Sequence, residues 1–151
     1  MKNQQLVRPI VILLVEDNPG DVELTRDALE SSKFTNHIHV VDDGVEAMAF
    51  LNREKGYETA PRPDLILLDL NLPKKDGREV LGEIKQDDKL KTIPVVILTS
   101  SGADEDILKS YELHANCFVT KPIDLKQFFK VVKSIKEFWV SIVVLPEDRG
   151  I

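Results

Sequence analysis

Three carboxylates close what read as buried strands: Glu16 and Asp17 directly follow IVILLV, residues 10–15, and Asp69 directly follows LILL, residues 65–68. One unpaired buried carboxylate is costly and a cluster is worse, so a positive charge has to sit among them. Equivalent places after VVIL and CFVT hold Thr99 and Lys121, a hydroxyl and an ammonium. With no Cys or His beside them, the carboxylates form a hard oxygen set that suits a small divalent ion such as Mg²⁺ better than Zn²⁺. Donors opposite such an ion would hold a tetrahedral anion, an arrangement of charge that stabilises a phosphoryl group. Taken singly, each residue has an ordinary reading, since acids at strand ends cap turns and helices and lysines are solvated. Their shared position at strand ends is what makes a site.

Short runs rich in Val, Ile and Leu alternate with amphipathic stretches, the pattern of a parallel sheet covered by helices on both faces. Strands are predicted near Ile10 to Val15, His37 to Val41, Leu65 to Leu68, Val95 to Leu98 and Asn116 to Thr120. Helices are predicted after Asn18-Pro19, with Val22, Ala28 and Leu29 turned inward, and over about Val45 to Glu54, Arg78 to Gln86 and Asp104 to Leu113. A last helix begins at Asp124, with Gln127 completing a pattern like a capping box. In open α/β sheets the ligand site lies beyond the carboxyl ends of the strands, where all the polar residues named above fall.

The chain has 151 residues, enough for one ordinary domain. Its 42% hydrophobic and 30% charged composition is that of a soluble globular protein, and no apolar run approaches the roughly 18 residues of a membrane span. No secretory signal is visible, and the lone Cys117 fits a reducing cytoplasm. A net charge of -6 argues against nucleic acid as the main partner, because phosphate backbones demand a basic face. His37, His39 and His114 lack metal-ligand spacing.

VEDN, LLDLNLPKKDG, ILTSS and FVTKP, in this order and spacing, resemble the receiver domain of two-component response regulators over about Ile10 to Phe138. The resemblance implies a doubly wound, flavodoxin-like α/β/α fold, with a five-stranded parallel sheet in the order 2-1-3-4-5 and five helices. It implies that Asp69 accepts a phosphoryl group from a phosphohistidine on a sensor histidine kinase. Asp17, Asp69 and the Asn71 carbonyl would bind Mg²⁺, with Glu16 reaching it through water. Lys121 would pair with the phosphate and Thr99 would hydrogen-bond it. Phe118 would change rotamer and alter the face made by the fourth helix, fifth strand and fifth helix. A cis Lys121–Pro122 peptide is also implied.

A narrower resemblance, carried by FWVSIVVLPE and by residues 47–81, is to small single-domain regulators paired with cyanobacterial phytochromes. It implies a light-regulated kinase as phosphodonor and a homodimer. The division expected is an arm over 1–9, a receiver domain over 10–139 and an extension over 140–151. Leu125, Phe128, Val132, Ile135 and Trp139 make one helical stripe that covers the sheet, leaving Phe129, Phe138, Ile142 and Leu145 for a dimer interface. Two rival functions are a phosphohydrolase with an aspartyl nucleophile and a phosphorylation-independent adaptor. The first commonly carries a second acid two residues beyond the nucleophile, where this chain has Asn71.

Overall fold

The structure, a computed structural model, describes residues 9–30, 36–99, 117–121 and 126. The strands are β1 (Ile10–Val15), β2 (Asn36–Val41), β3 (Leu65–Asp69), β4 (Val95–Thr99) and β5 (Cys117–Thr120). They form one parallel sheet in the order β2-β1-β3-β4-β5. The described helices are α1 (Pro19–Glu30), α2 (Gly44–Asn52) and α3 (Gly77–Gln86). The fourth and fifth predicted helices, Pro122 and the proposed dimer residues Phe129, Phe138, Ile142 and Leu145 lie outside the described residues.

Strand alternation sorts the core into two layers. Leu13, Val15, Ile66, Leu68, Val95 and Ile97 face α2 and α3, packing with Phe50, Leu81 and Ile84. Ile12, Leu14, Leu65, Leu67, Val96 and Leu98 face the other way, where Leu29 of α1 closes over them. Side chains that alternate with period two and are buried on both sides are the signature of a sheet covered on both faces. Ala28 and Leu29 are buried, as their spacing predicts, and Val22 packs partly buried against the same layer. The second helix stops short of the predicted Glu54, because Arg53 turns left-handed at φ 55° and its N–H caps the Ala49 and Phe50 carbonyls.

Two glycines let the helices seat against the site end of the sheet. A Cβ on Gly77 would lie 2.3 Å from the Asp69 carbonyl oxygen and 2.6 Å from the Leu70 Cα. The Gly77 N–H instead donates to the Leu70 carbonyl at 3.0 Å, which pins the start of α3 to the backbone just beyond Asp69. At Gly44 a Cβ would meet the Lys75 carbonyl at 2.1 Å. The loop after Asp69 is therefore held by backbone contact on two sides, and Asp76-Gly77 is more than the simple turn its dipeptide predicts. Lys74 and Lys75 pair with Asp43 and Glu83, with Lys74 still largely exposed.

Candidate functional site

Parallel strands all point the same way, so the residues that end β1, β3 and β5 meet at one edge of the sheet. There they line a cleft of about 350 Å³ formed by Glu16, Asp17, Asn18, Pro19, Asp21, Asp69, Asn71 and Lys121. Glu16 is 1% exposed and Asp69 is 3% exposed. The cation their burial requires is Lys121, 105 residues downstream of Glu16. Its Nζ donates to Glu16 Oε1 at 3.1 Å and Oε2 at 3.3 Å, to Asp69 Oδ2 at 3.0 Å and to Asp21 Oδ2 at 2.9 Å.

Backbone groups complete the positioning. The Glu16 N–H donates to the Val41 carbonyl at 3.0 Å, and Glu16 Oε2 accepts the Asn18 N–H at 3.2 Å. Asp69 Oδ1 accepts the Asn71 N–H at 3.0 Å, which fixes the carboxylate against its own loop. Asn18 starts α1 as the sequence predicts: its Oδ1 accepts the Asp21 N–H and its carbonyl accepts the Val22 N–H, both at 3.0 Å.

Ligand atoms of Glu16, Asp17 and Asp69 lie within 4.8 Å of one another, with Asp17 exposed and the other two buried. Oxygen-only donors, an excess of carboxylates over the one ammonium and an open exposed member fit a hydrated divalent cation. The site residues proposed from sequence thus divide into two groups. Glu16, Asp17, Asp69, Asn71 and Lys121 converge. For Thr99 and Phe118 the structure describes backbone alone: Thr99 ends β4 opposite Thr120, and Phe118 pairs with Ile97 in β5.

Asp21 escaped the sequence reading. An acid in the first turn of a helix ordinarily complements the helix dipole, and that reading hides a second role. Its distance of four residues from Asp17, at the start of a helix opening on the site, was the available signal.

Electrostatics follow from this crowding. Burial, followed by the hydrogen bond and negative charge of Asp69, pushes the Glu16 carboxyl up from 4.5 to about 7, against the pull of Lys121. Burial pulls the Lys121 ammonium down, but its bonds to Asp21, Asp69 and Glu16 prevail and hold it above the usual lysine range. Between 4.5 and about 7 the folded chain therefore binds the Glu16 proton more tightly than the unfolded chain does. Stability contributed by this group falls as pH rises through that window. In chelator, the melting temperature should drop by roughly 5 °C from pH 5 to pH 8, at 2–4 °C per kcal/mol for a chain of this size, and by less in Glu16→Gln. Divalent-cation affinity should rise over the same range, since cation and proton compete for one carboxylate. Identical profiles for the two proteins would contradict the assignment.

An α/β sheet of this order, with buried acids and a lysine converging at its carboxyl edge, defines a phosphoacceptor-type signalling domain. The response regulator receiver domain model matches residues 12–133, and the chain belongs to that family. It is a signalling protein of two-component systems and is similar to phytochrome-associated regulators. Response regulator Rcp1 of Synechocystis sp. is 54% identical over 138 residues, which make up 91% of this chain and 94% of Rcp1. The Mn²⁺-bound form of Rcp1 superposes with a TM-score of 0.73 over 89% of this chain and 97% of that one. A phosphorylated cyanobacterial phytochrome response regulator, RcpA, is 55% identical with a TM-score of 0.75, covering 89% of this chain and 96% of its own. The bacteriophytochrome response regulator AtBRR is 48% identical with a TM-score of 0.79, covering 87% and 96% respectively. Among the described residues, no helix is long and apolar enough to cross a membrane.

Proposed function

We propose that the protein is a single-domain response regulator that receives a phosphoryl group on Asp69 from the phosphohistidine of a sensor kinase, and that this kinase is a phytochrome. The carrying observation is Lys121 Nζ at 3.0 Å from the buried Asp69 Oδ2 in a cleft that also holds Glu16, Asp17 and Asp21. The likeness to RcpA and AtBRR supports the phytochrome pairing. Asp17, Asp69 and the Asn71 carbonyl would hold Mg²⁺, with Glu16 close behind; when bound, the ion screens the negative charge of the two reacting partners.

The chain's own residues do the rest. A carboxylate oxygen of Asp69 forms the new O–P bond as the P–N bond to imidazole breaks, and the imidazole leaves with a proton from solvent. Lys121 neutralises charge on the transferred group, and Asn71 keeps the nucleophile in place through its N–H. The acyl phosphate carries up to about two negative charges where the carboxylate carried one, and it brings fresh acceptor oxygens. Thr99 follows those oxygens, Phe118 moves into the space released, and the face of the fourth helix, fifth strand and fifth helix changes. The protein thereby promotes its own phosphorylation and dephosphorylation without being a classical enzyme. The same reading includes five helices within residues 10–139, an arm over 1–9, an extension over 140–151 and a cytoplasmic location.

Mass measurement after incubation with a small phosphodonor and Mg²⁺ tests the central reading. One acid-labile phosphate per chain is expected, whereas a phosphorylation-independent adaptor gains none. The working form proposed is a homodimer joined through Phe129, Phe138, Ile142 and Leu145. A tail that folded back over its own domain would remain monomeric. Light scattering should show dimers of the intact chain, strengthened by phosphodonor, and monomers of a chain ending at Lys136. A dimer indifferent to that truncation would remove this interface.

A further inference from the structure

Lys121 is the hub of the resting site, and its bonding is full. An ammonium has three N–H donors, and here they serve three carboxylates: Glu16 at 3.1 Å, Asp21 at 2.9 Å and Asp69 at 3.0 Å. A phosphoryl group on Asp69 brings oxygens that call for the same donors, so an existing contact has to weaken.

The three contacts are not equally easy to give up. The Glu16 side chain is 1% exposed, and losing its cation would leave a buried carboxylate without a compensating charge, next to other acids. Asp69 is itself bonded to the incoming group. The Asp21 side chain is 27% exposed, so water can take over what Lys121 leaves. Its position is fixed independently of the lysine, because Asn18 Oδ1 accepts the Asp21 N–H and sets the first turn of α1 beside the cleft.

We propose that Asp21 is the resting-state anchor of Lys121, a positioning residue that competes with the phosphoryl group for the ammonium and thereby sets how tightly the site takes up phosphoryl-like anions. This rests on the reading of Asp69 as phosphoacceptor. Asp21 touches neither the nucleophile nor the transferred group; it acts through the lysine. Phosphoryl uptake then exchanges one carboxylate on Lys121 for phosphoryl oxygens.

Beryllofluoride, a mimic of the acyl phosphate, is the probe, titrated calorimetrically into the intact chain at saturating Mg²⁺ so that differences in metal affinity drop out. Asp21→Asn should bind it roughly threefold to tenfold more tightly than the native chain, the scale of one partly screened charge-assisted hydrogen bond. Asp21→Glu, which keeps a carboxylate on the same turn, should return towards the native affinity. The ¹⁵N and ¹³Cε resonances of Lys121 should differ between Asp21→Asn and the native chain when free and coincide in the beryllofluoride complex. A purely structural or through-space role would move both states or neither. Weaker or unchanged binding by Asp21→Asn, or resonances that fail this pattern, overturns the anchor while Asp69→Asn still abolishes binding. Binding that survives Asp69→Asn overturns the phosphoacceptor reading, and the anchor with it.

Discussion

Asp69→Asn should abolish phosphorylation entirely while leaving the fold intact. The amide keeps the size of the carboxylate and its acceptor oxygen, so the Asn71 N–H retains a partner at the place where it now meets Asp69 Oδ1 at 3.0 Å. What disappears is the oxygen nucleophile, and Thr99, Lys121 and the neighbouring acids cannot replace it in line with a donor held in the same cleft. Removing one negative charge also relieves Glu16, whose proton affinity the Asp69 carboxylate helps to raise. In chelator, the variant should therefore melt a few degrees above the native chain, even though Lys121 loses one acceptor. Mass spectrometry after phosphodonor treatment and a melting curve in chelator check the two parts. Full labelling at another residue would end the assignment of Asp69.

Lys121→Met should cost the metal-free protein about 3 kcal/mol at pH 8, the usual scale for leaving a buried charge without its partner. Both carboxylates that depend on the ammonium are buried, with side chains 1% and 4% exposed, and neither has another cation within 4.0 Å among the described residues. At 2–4 °C per kcal/mol, the melting temperature should fall by roughly 10 °C. The deficit should shrink at pH 5, where Glu16 takes up a proton, and shrink again with a divalent cation, which replaces part of the missing charge. An unchanged melting temperature in chelator at pH 8 would show that Lys121 does not hold the acids together. Phosphorylation of this variant should also slow severely, because among the described residues no other side chain in the cleft adds a positive charge to that of the metal ion.

These expectations draw unequally on sequence and on tertiary structure. The sequence by itself determined that short Val, Ile and Leu runs alternate with amphipathic segments, because strands covered on both faces must be apolar throughout. It also determined that Glu16, Asp17, Asp69 and Lys121 sit at strand ends, since each directly follows such a run. That the acids needed a cation followed from the cost of burying charge.

Only the tertiary structure decided which cation serves them. Lys121 is 105 residues from Glu16, 100 from Asp21 and 52 from Asp69, and local pattern carries no information about pairing over such distances. The parallel order β2-β1-β3-β4-β5 brings these ends to one edge. Gly77 and Gly44 look like turn residues in sequence, because a backbone approach that excludes a Cβ appears only after two segments have packed. Asp21 reads locally as a favourable charge at a helix start, and its bond to Lys121 exists because β5 ends beside the first turn of α1. Residue type and spacing set the chemistry available to the chain, while the long-range placement of one ammonium decided which carboxylates share it.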